Sequence, residues 1–519
     1  MRRTVLSLGV LAALTAPLAP IAPAAATTTT AITATTADSI AWAPCAKDAT
    51  AECGTLTVPV DWDRPGGETF ELALARRKAT DPAARVGSLL INPGGPGGSG
   101  VEAVLGDRLG FTQEITGRFD VVGFDPRGVG LSHPIRCSLE LAQQAPEPFA
   151  IRSQADFEAL LAHNDRYRKD CRQRTGPLFD QVHTGNVVRD LDALRAALGE
   201  GKLTYYGISY GTLIGQLYAE RYPGRVRALA LDSNMDHSLG TAAFLDTESW
   251  TAQDSFDEFV TWCGKTASCA LHGENVRAVW RDLLARAGRG ELEFPGMPGV
   301  ALTRLGLIRQ AFGAFYEPAW KELAELLVAL DGGDRTAKAI LTPPAATSDE
   351  VINDPTQVFC QDYLLPVRDF REYARLLRRS VSIAPDMLIS AAAHPLTTAC
   401  LGTPDPIPNP QHALNVSGTP PLLLGNALHD PATGYPWAVN AARQIGDEAR
   451  LITYEGWGHG VYGRGPCPTA AIDDYLTSLK VPARDTRCAA VPPSEVSPQR
   501  ARPFPGPIPG LPGWTSALS

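Results

Sequence analysis

Leu203-Thr-Tyr-Tyr-Gly207-Ile-Ser209-Tyr-Gly211-Thr212 is the stretch that decides the fold. Leu203 to Gly207 reads as a short strand, and Thr212 to Tyr222 reads as a helix. Between them stands Gly-x-Ser-x-Gly, the sequence of a sharp strand-to-helix turn that presents its serine at the top of a sheet. The turn forces a strained backbone on Ser209. The two glycines leave room for strand and helix to pack closely. The hydroxyl then sits at a helix N-terminus, where the dipole favours developing negative charge.

Outward from this turn the pattern alternates. On its N-terminal side, Leu72 to Ala75, Ser88 to Asn92 and Phe119 to Phe124 read as strands, and Asn186 to Leu198 as an amphipathic helix. Val226 to Leu231 is the next strand on the C-terminal side. Strands alternating with helices imply a parallel, doubly wound sheet, class α/β. After Asp236 the rhythm turns helical, with Phe256 to Trp262, Arg277 to Ala287 and Trp320 to Leu330 as its clearest segments. Pro421 to Gly425 and Arg450 to Tyr454 resume the strand pattern, and Ala470 to Leu479 supplies a closing helix. The expected division is a core over 41–236, a helical cap over 237–410, a second core part over 411–490 and a proline-rich tail over 491–519. A second, independent helical domain is the other reading of the middle block.

A serine hydroxyl needs a base, and where this turn occurs the partners follow in the order serine, acid, histidine. His459 fits, in Gly456-Trp-Gly-His-Gly460 after a strand. Asp430 follows the strand Leu422 to Leu424 and is the expected orienting carboxylate, with Asp232 and Asp236 as competitors. His429 reads as a loop residue. An oxyanion needs two rigid N–H donors. Tyr210 supplies one, and Gly95 the other, from the glycine-rich loop Asn92-Pro-Gly-Gly-Pro-Gly-Gly-Ser99. That loop also matches GxGxxG, but so glycine-dense a segment matches easily and no GxxxxGK[ST] accompanies it, which disfavours phosphate binding.

The chain has 519 residues, 44% hydrophobic and 20% charged, with a formal net charge of −9 and no basic run, which argues against nucleic acid as a partner. Arg2-Arg3, an apolar stretch and Ala22-Pro-Ala-Ala-Ala26 read as a signal peptide over 1–26, followed by a disordered Thr/Ala-rich leader over 27–40. Pro17, Pro20 and Pro23 disfavour a membrane anchor, so the expected location is extracellular. The ten cysteines, Cys45, Cys53, Cys137, Cys171, Cys263, Cys269, Cys360, Cys400, Cys467 and Cys488, suit an oxidising compartment. Pairing in sequence order closes short or moderate loops and is the expected connectivity. No Cys/His cluster has metal-ligand spacing, and neither metal nor cofactor is expected.

Pro93-Gly-Gly-Pro-Gly97 resembles the HGGPG oxyanion loop of prolyl aminopeptidase-type serine peptidases, with proline in place of histidine. Together with Phe124-Asp-Pro-Arg-Gly-Val-Gly-Leu-Ser132, Gly207 to Thr212 and Asp430-Pro-Ala-Thr433, it resembles secreted actinobacterial tripeptidyl aminopeptidases over about Trp42 to Cys488. The resemblance implies an α/β-hydrolase fold with a mostly parallel central sheet and an inserted, mainly helical cap. It implies release of short peptides from free N-termini through an acyl-enzyme. A carboxylate in the cap would then pair with the substrate's α-ammonium, and Asp362 is the candidate. Thr433 is a candidate for tuning the site. An esterase or amidase acting on small secreted metabolites uses the same machinery and stays open, as does a catalytically inert binding protein.

Overall fold

Apolar runs that are buried on both faces build the centre of the sheet. Its strands are β1 (Ala43–Pro44), β2 (Glu52–Pro59), β3 (Thr69–Arg77), β4 (Gly87–Asn92), β5 (Phe119–Phe124), β6 (Leu203–Ile208), β7 (Val226–Asp232), β8 (Leu422–His429), β9 (Ala449–Trp457) and β10 (Thr486–Cys488). The computed structural model describes residues 40–107, 109–334, 338–342, 351–493 and 515–516. The expected signal peptide, nearly all of the leader and most of the tail lie outside the described residues.

The strands lie in the order β1-β2-β3-β5-β4-β6-β7-β8-β9-β10. β1, β2 and β3 pair antiparallel at one edge, and every pairing from β5 to β10 is parallel. β4, β5 and β6 are buried throughout, as parallel strands covered on both faces must be. Successive residues point to opposite faces. Leu90, Tyr205 and Leu229 therefore join one apolar cluster, and Leu89, Tyr206 and Ala228 the other.

Helices cover the two faces. α1 (Gly100–Leu105) contributes Val101 and Val104 to one cluster. α2 (Thr184–Ala197) and α3 (Tyr210–Arg221) contribute Leu191 and Leu213 to the other. Between β7 and β8 come α4 (Thr241–Lys265), α5 (Val276–Gly288), α6 (Arg304–Tyr316), α7 (Trp320–Asp331), α8 (Thr356–Asp362), α9 (Phe370–Ile383) and α10 (Ala393–Cys400). α11 (Tyr435–Ile445) follows β8 and α12 (Pro466–Ser478) follows β9.

The inserted segment is less uniform than its helical periodicity implies. Glu293–Phe294 pairs with Met297–Ala301, and Val351–Asn353 pairs with Arg136–Ser138 from the first core part. Its buried residues also divide. Phe256, Trp280, Leu307 and Phe315 form a cluster of their own, whereas Phe359, Tyr363 and Leu396 belong to the cluster under the sheet.

All ten cysteines are paired in sequence order: Cys45–Cys53, Cys137–Cys171, Cys263–Cys269, Cys360–Cys400 and Cys467–Cys488. Five disulfides fit an oxidising compartment. Among the described residues no helix is long and apolar enough to cross a membrane.

Candidate active site

Register places the loops that matter side by side. Asn92 of β4 lies opposite Gly207 of β6, Ile208 opposite Asp232 of β7, and Asp232 opposite Gly425 of β8. The segments that follow these strands therefore leave one edge of the sheet together, where open α/β sheets bind ligands.

Ser209 stands between β6 and α3 with φ 56° and ψ −124°, a conformation that costs about 1–3 kcal/mol for a residue with a side chain. Its N–H donates to the Asp232 carbonyl at 2.9 Å, which ties the turn to the neighbouring strand. The helix begins at Tyr210, two residues earlier than its periodicity suggests, because the serine itself occupies the capping position. A Cβ on Gly207 would lie 2.5 Å from the Gly211 carbonyl oxygen, so only glycine lets strand and helix pass this closely. Gly94 has φ +87°, and a Cβ there would meet the Ile208 carbonyl oxygen at 2.5 Å and the Ser209 Cβ at 2.8 Å. The glycine-rich loop thus packs directly on the serine. Ser209 Oγ is buried and makes no hydrogen bond to a described residue.

The structure brings Asp430 and His459 together. His459 Nδ1 lies 2.9 Å from Asp430 Oδ1 and 3.1 Å from Oδ2, and both side chains are fully buried. The same carboxylate accepts the N–H groups of Ala432 and Thr433, both at 2.9 Å, and the Ser233 hydroxyl at 2.7 Å. Burial pushes the Asp430 carboxyl up, but the His459 charge and these donors outweigh it and hold the carboxyl below its ordinary range. The competing acids have other work. Asp232 accepts from Val461 N–H at 2.7 Å, Tyr462 N–H at 3.0 Å and Tyr206 hydroxyl at 2.7 Å, fixing the backbone that follows His459. Asp236 accepts from Ser238, Asn440 and Gln444. His429 ends β8 and lies 2.8 Å from Asp254 of α4.

Gly95, Ser209, Tyr210 and Thr433 line one cavity, whose walls are otherwise largely apolar and include Met235, Phe244, Phe359, Leu396 and Trp437. Thr433 reaches the Asp430–His459 pair as well: its hydroxyl donates to Asp430 Oδ2 at 3.1 Å and lies 3.4 Å from His459 Nδ1.

Asp362 is not placed as the sequence suggested. Its oxygens accept from Thr184 N–H at 2.9 Å, Thr184 hydroxyl at 2.6 Å, Tyr210 hydroxyl at 2.5 Å and Asn409 Nδ2 at 2.6 Å. Four donors saturate the carboxylate, and it holds the Tyr210 ring from behind rather than facing the cavity. The carboxyl that does line the cavity is Glu248 of α4. It is 1% exposed. Its Oε2 accepts from Ser390 hydroxyl at 3.0 Å, while Oε1 is buried with no hydrogen bond to a described residue. Burial raises its pKa well above the ordinary carboxylate range, and the charge of Asp430 adds to that rise. A sequence signal existed. Phe244, Leu245 and Ala252 stand at i−4, i−3 and i+4 on the buried face of α4, so Glu248 occupies a position where the helical period calls for a hydrophobe.

Comparison with known proteins agrees with this geometry. Residues 87–312 match the family described as "alpha/beta hydrolase fold", and residues 386–488 match that described as "TAP-like protein". The chain is 34% identical to "Serine protease Hip1" of Mycobacterium tuberculosis, an alignment covering 85% of this chain and 88% of that protein. It is 32% identical to "Tripeptidyl aminopeptidase" of Streptomyces lividans, covering 87% and 86%. It is 31% identical to "Carboxylesterase B" of Mycobacterium tuberculosis, covering 85% and 86%. With the strand order, the serine turn and likeness along nearly its whole folded length in agreement, this chain belongs to the tripeptidyl aminopeptidase-like α/β-hydrolases and is a serine hydrolase.

Proposed function

We propose that the chain is a secreted serine aminopeptidase that releases short peptides, tripeptides above all, from free N-termini. Ser209 attacks the scissile carbonyl while His459 takes its proton and later returns it to the leaving amine. Asp430 fixes the imidazole tautomer and stabilises the imidazolium. The N–H groups of Gly95 and Tyr210 receive the oxyanion, and water then releases the acyl peptide. Thr433 steadies Asp430. The helices between β7 and β8 act as a cap that narrows entry to the cavity. The basic, apolar N-terminus and the five disulfides support export.

The observation that carries the peptidase reading is Glu248. A buried carboxyl with one bare oxygen, in the same apolar cavity as the nucleophile, is costly unless a cation or donor meets it. An incoming α-ammonium supplies a cation, whereas an ester supplies neither and a blocked amine offers only a neutral N–H. The names of two relatives, a serine protease and a tripeptidyl aminopeptidase, point the same way. A carboxylesterase among the relatives favours the second reading, hydrolysis of small esters or amides. Chromogenic tripeptidyl and aminoacyl amides, each with a free and an acetylated N-terminus, and matched esters separate the two. Turnover confined to free-amine peptides supports the proposal, and turnover confined to esters overturns it.

A further inference from the structure

The loop that carries His459 has little stiffness of its own. Glycine fills four of the eight positions from 456 to 463, with positive φ at Gly458, Gly460 and Gly463. Such a segment keeps more backbone freedom than any other, so its conformation must be imposed from outside. The sheet imposes part of it, through Asp232 on Val461 and Tyr462 and through Ser233, whose Oγ accepts Gly460 N–H at 2.7 Å.

The remainder comes from the inserted segment. Tyr316 ends α6, where helix carbonyls have no partner within the helix. Its carbonyl instead accepts His459 N–H at 2.9 Å, and its ring centroid lies 4.4 Å from the imidazole. Arg464 then bridges the two elements. Its Nη2 donates to His459 carbonyl at 2.8 Å, Tyr316 carbonyl at 3.1 Å and Glu317 Oε2 at 3.1 Å, and its Nε donates to Gly460 carbonyl at 2.6 Å. The guanidinium is 1% exposed. A rigid fork spread over the successive carbonyls of His459 and Gly460 is a geometry lysine cannot reproduce.

We propose that Arg464, with the Tyr316–Glu317 end of α6, is a positioning device for His459. The imidazole is then set for proton transfer only while the inserted segment is docked against the sheet edge. The inference rests on the reading of His459 as the general base, and goes beyond it by making the insert part of the catalytic assembly as well as an entry filter.

The test is steady-state kinetics of R464A. A misplacement of about 1 Å costs on the order of 100-fold in rate, so kcat should fall roughly 10- to 100-fold while KM stays within about threefold. Guanidinium or methylguanidinium at sub-denaturing concentration should restore part of kcat, and urea at the same concentration should not. A purely structural role would lower the melting temperature and would not be relieved by a denaturing cation. Wild-type kcat in R464A, or no recovery with guanidinium, overturns the proposal. If R464A does not fold, R464K carries the test: lost kcat at a retained melting temperature supports the role, and wild-type kcat refutes it. H459A separates the two layers. Activity retained in H459A sinks the reading of the base itself, whereas an inactive H459A beside a fully active R464A sinks only the positioning role.

Discussion

Glutamine at position 248 is the sharpest probe of what enters the cavity. Glu248→Gln keeps the volume of the side chain and an acceptor for the Ser390 hydroxyl, and removes only the capacity for negative charge. Removing one partner of a buried, hydrogen-bonded charge pair costs about 2–5 kcal/mol. At about 1.36 kcal/mol per factor of ten, that is roughly 30- to 5,000-fold in kcat/KM. At 1% exposure the carboxyl is beyond effective screening by salt, and its Oε1 makes no other hydrogen bond to a described residue. A loss of at least about 100-fold on free-amine tripeptidyl amides is therefore expected. The assay compares kcat/KM for free and N-acetylated forms of one tripeptidyl amide, with labelling of Ser209 by a fluorophosphonate as the measure of an intact triad. The free-amine preference should collapse while the labelling rate stays near wild type. Labelling unchanged, together with free-amine kcat/KM within about threefold of wild type, would refute an ammonium-binding role for Glu248.

Four other outcomes follow from the described contacts. Glu248 keeps its proton in the folded protein at a pH where the unfolded chain, with an ordinary pKa of about 4.3, has released it. Its contribution to stability therefore falls as pH rises above that value, and thermal midpoints of wild type and E248Q should converge near pH 4 and separate toward pH 8 with E248Q the higher. Asp430→Asn, which inverts the hydrogen bond to His459 Nδ1, should lower kcat by roughly a thousand- to ten-thousandfold with the fold retained by circular dichroism. Asp362→Ala strands the Thr184, Tyr210 and Asn409 donors and should cost about 3 kcal/mol or more in urea unfolding. Replacing Cys360 and Cys400 by serine opens a cross-link spanning 40 residues and should lower stability by about 4 kcal/mol in the same measurement.

The sheet and its serine turn were legible because their signals are local. Strand, Gly-Ile-Ser-Tyr-Gly and helix are contiguous, and Gly207 answers to a close approach made within the motif, while Gly211 makes room for Asn92 of the neighbouring strand β4. Asp430 and His459 were legible because each follows an apolar strand directly, so the sheet edge collects them whatever lies between. Asp362 was misread for the converse reason. What a buried aspartate does depends on which donors surround it, and Thr184, Tyr210 and Asn409 come from three separate segments. Sequence does not show that convergence. Glu248 left a trace, a charge on the apolar stripe of α4, but the trace is weak in a 25-residue helix that carries other acids. Tyr316 was hidden more deeply: its backbone carbonyl makes the hydrogen bond to His459, and any residue type supplies one.

The long insert leaves the sheet at Asp232, the end of β7, and re-enters at Leu422, the start of the adjacent parallel strand β8, where Leu423 pairs with Ala230, so its two ends lie on neighbouring strands a few residues apart in register. Closing a loop between such neighbours costs only about 0.6 kcal/mol more for each doubling of its length. The sheet is therefore almost indifferent to how much chain is spliced in there, which makes the insert a transplantable module through which substrate choice can drift without rebuilding the sheet beneath it. The tie between Tyr316 and His459 sets the limit on such grafting. A foreign insert that offers no acceptor to the histidine's N–H and no partner to Arg464 would leave a folded sheet with an idle serine.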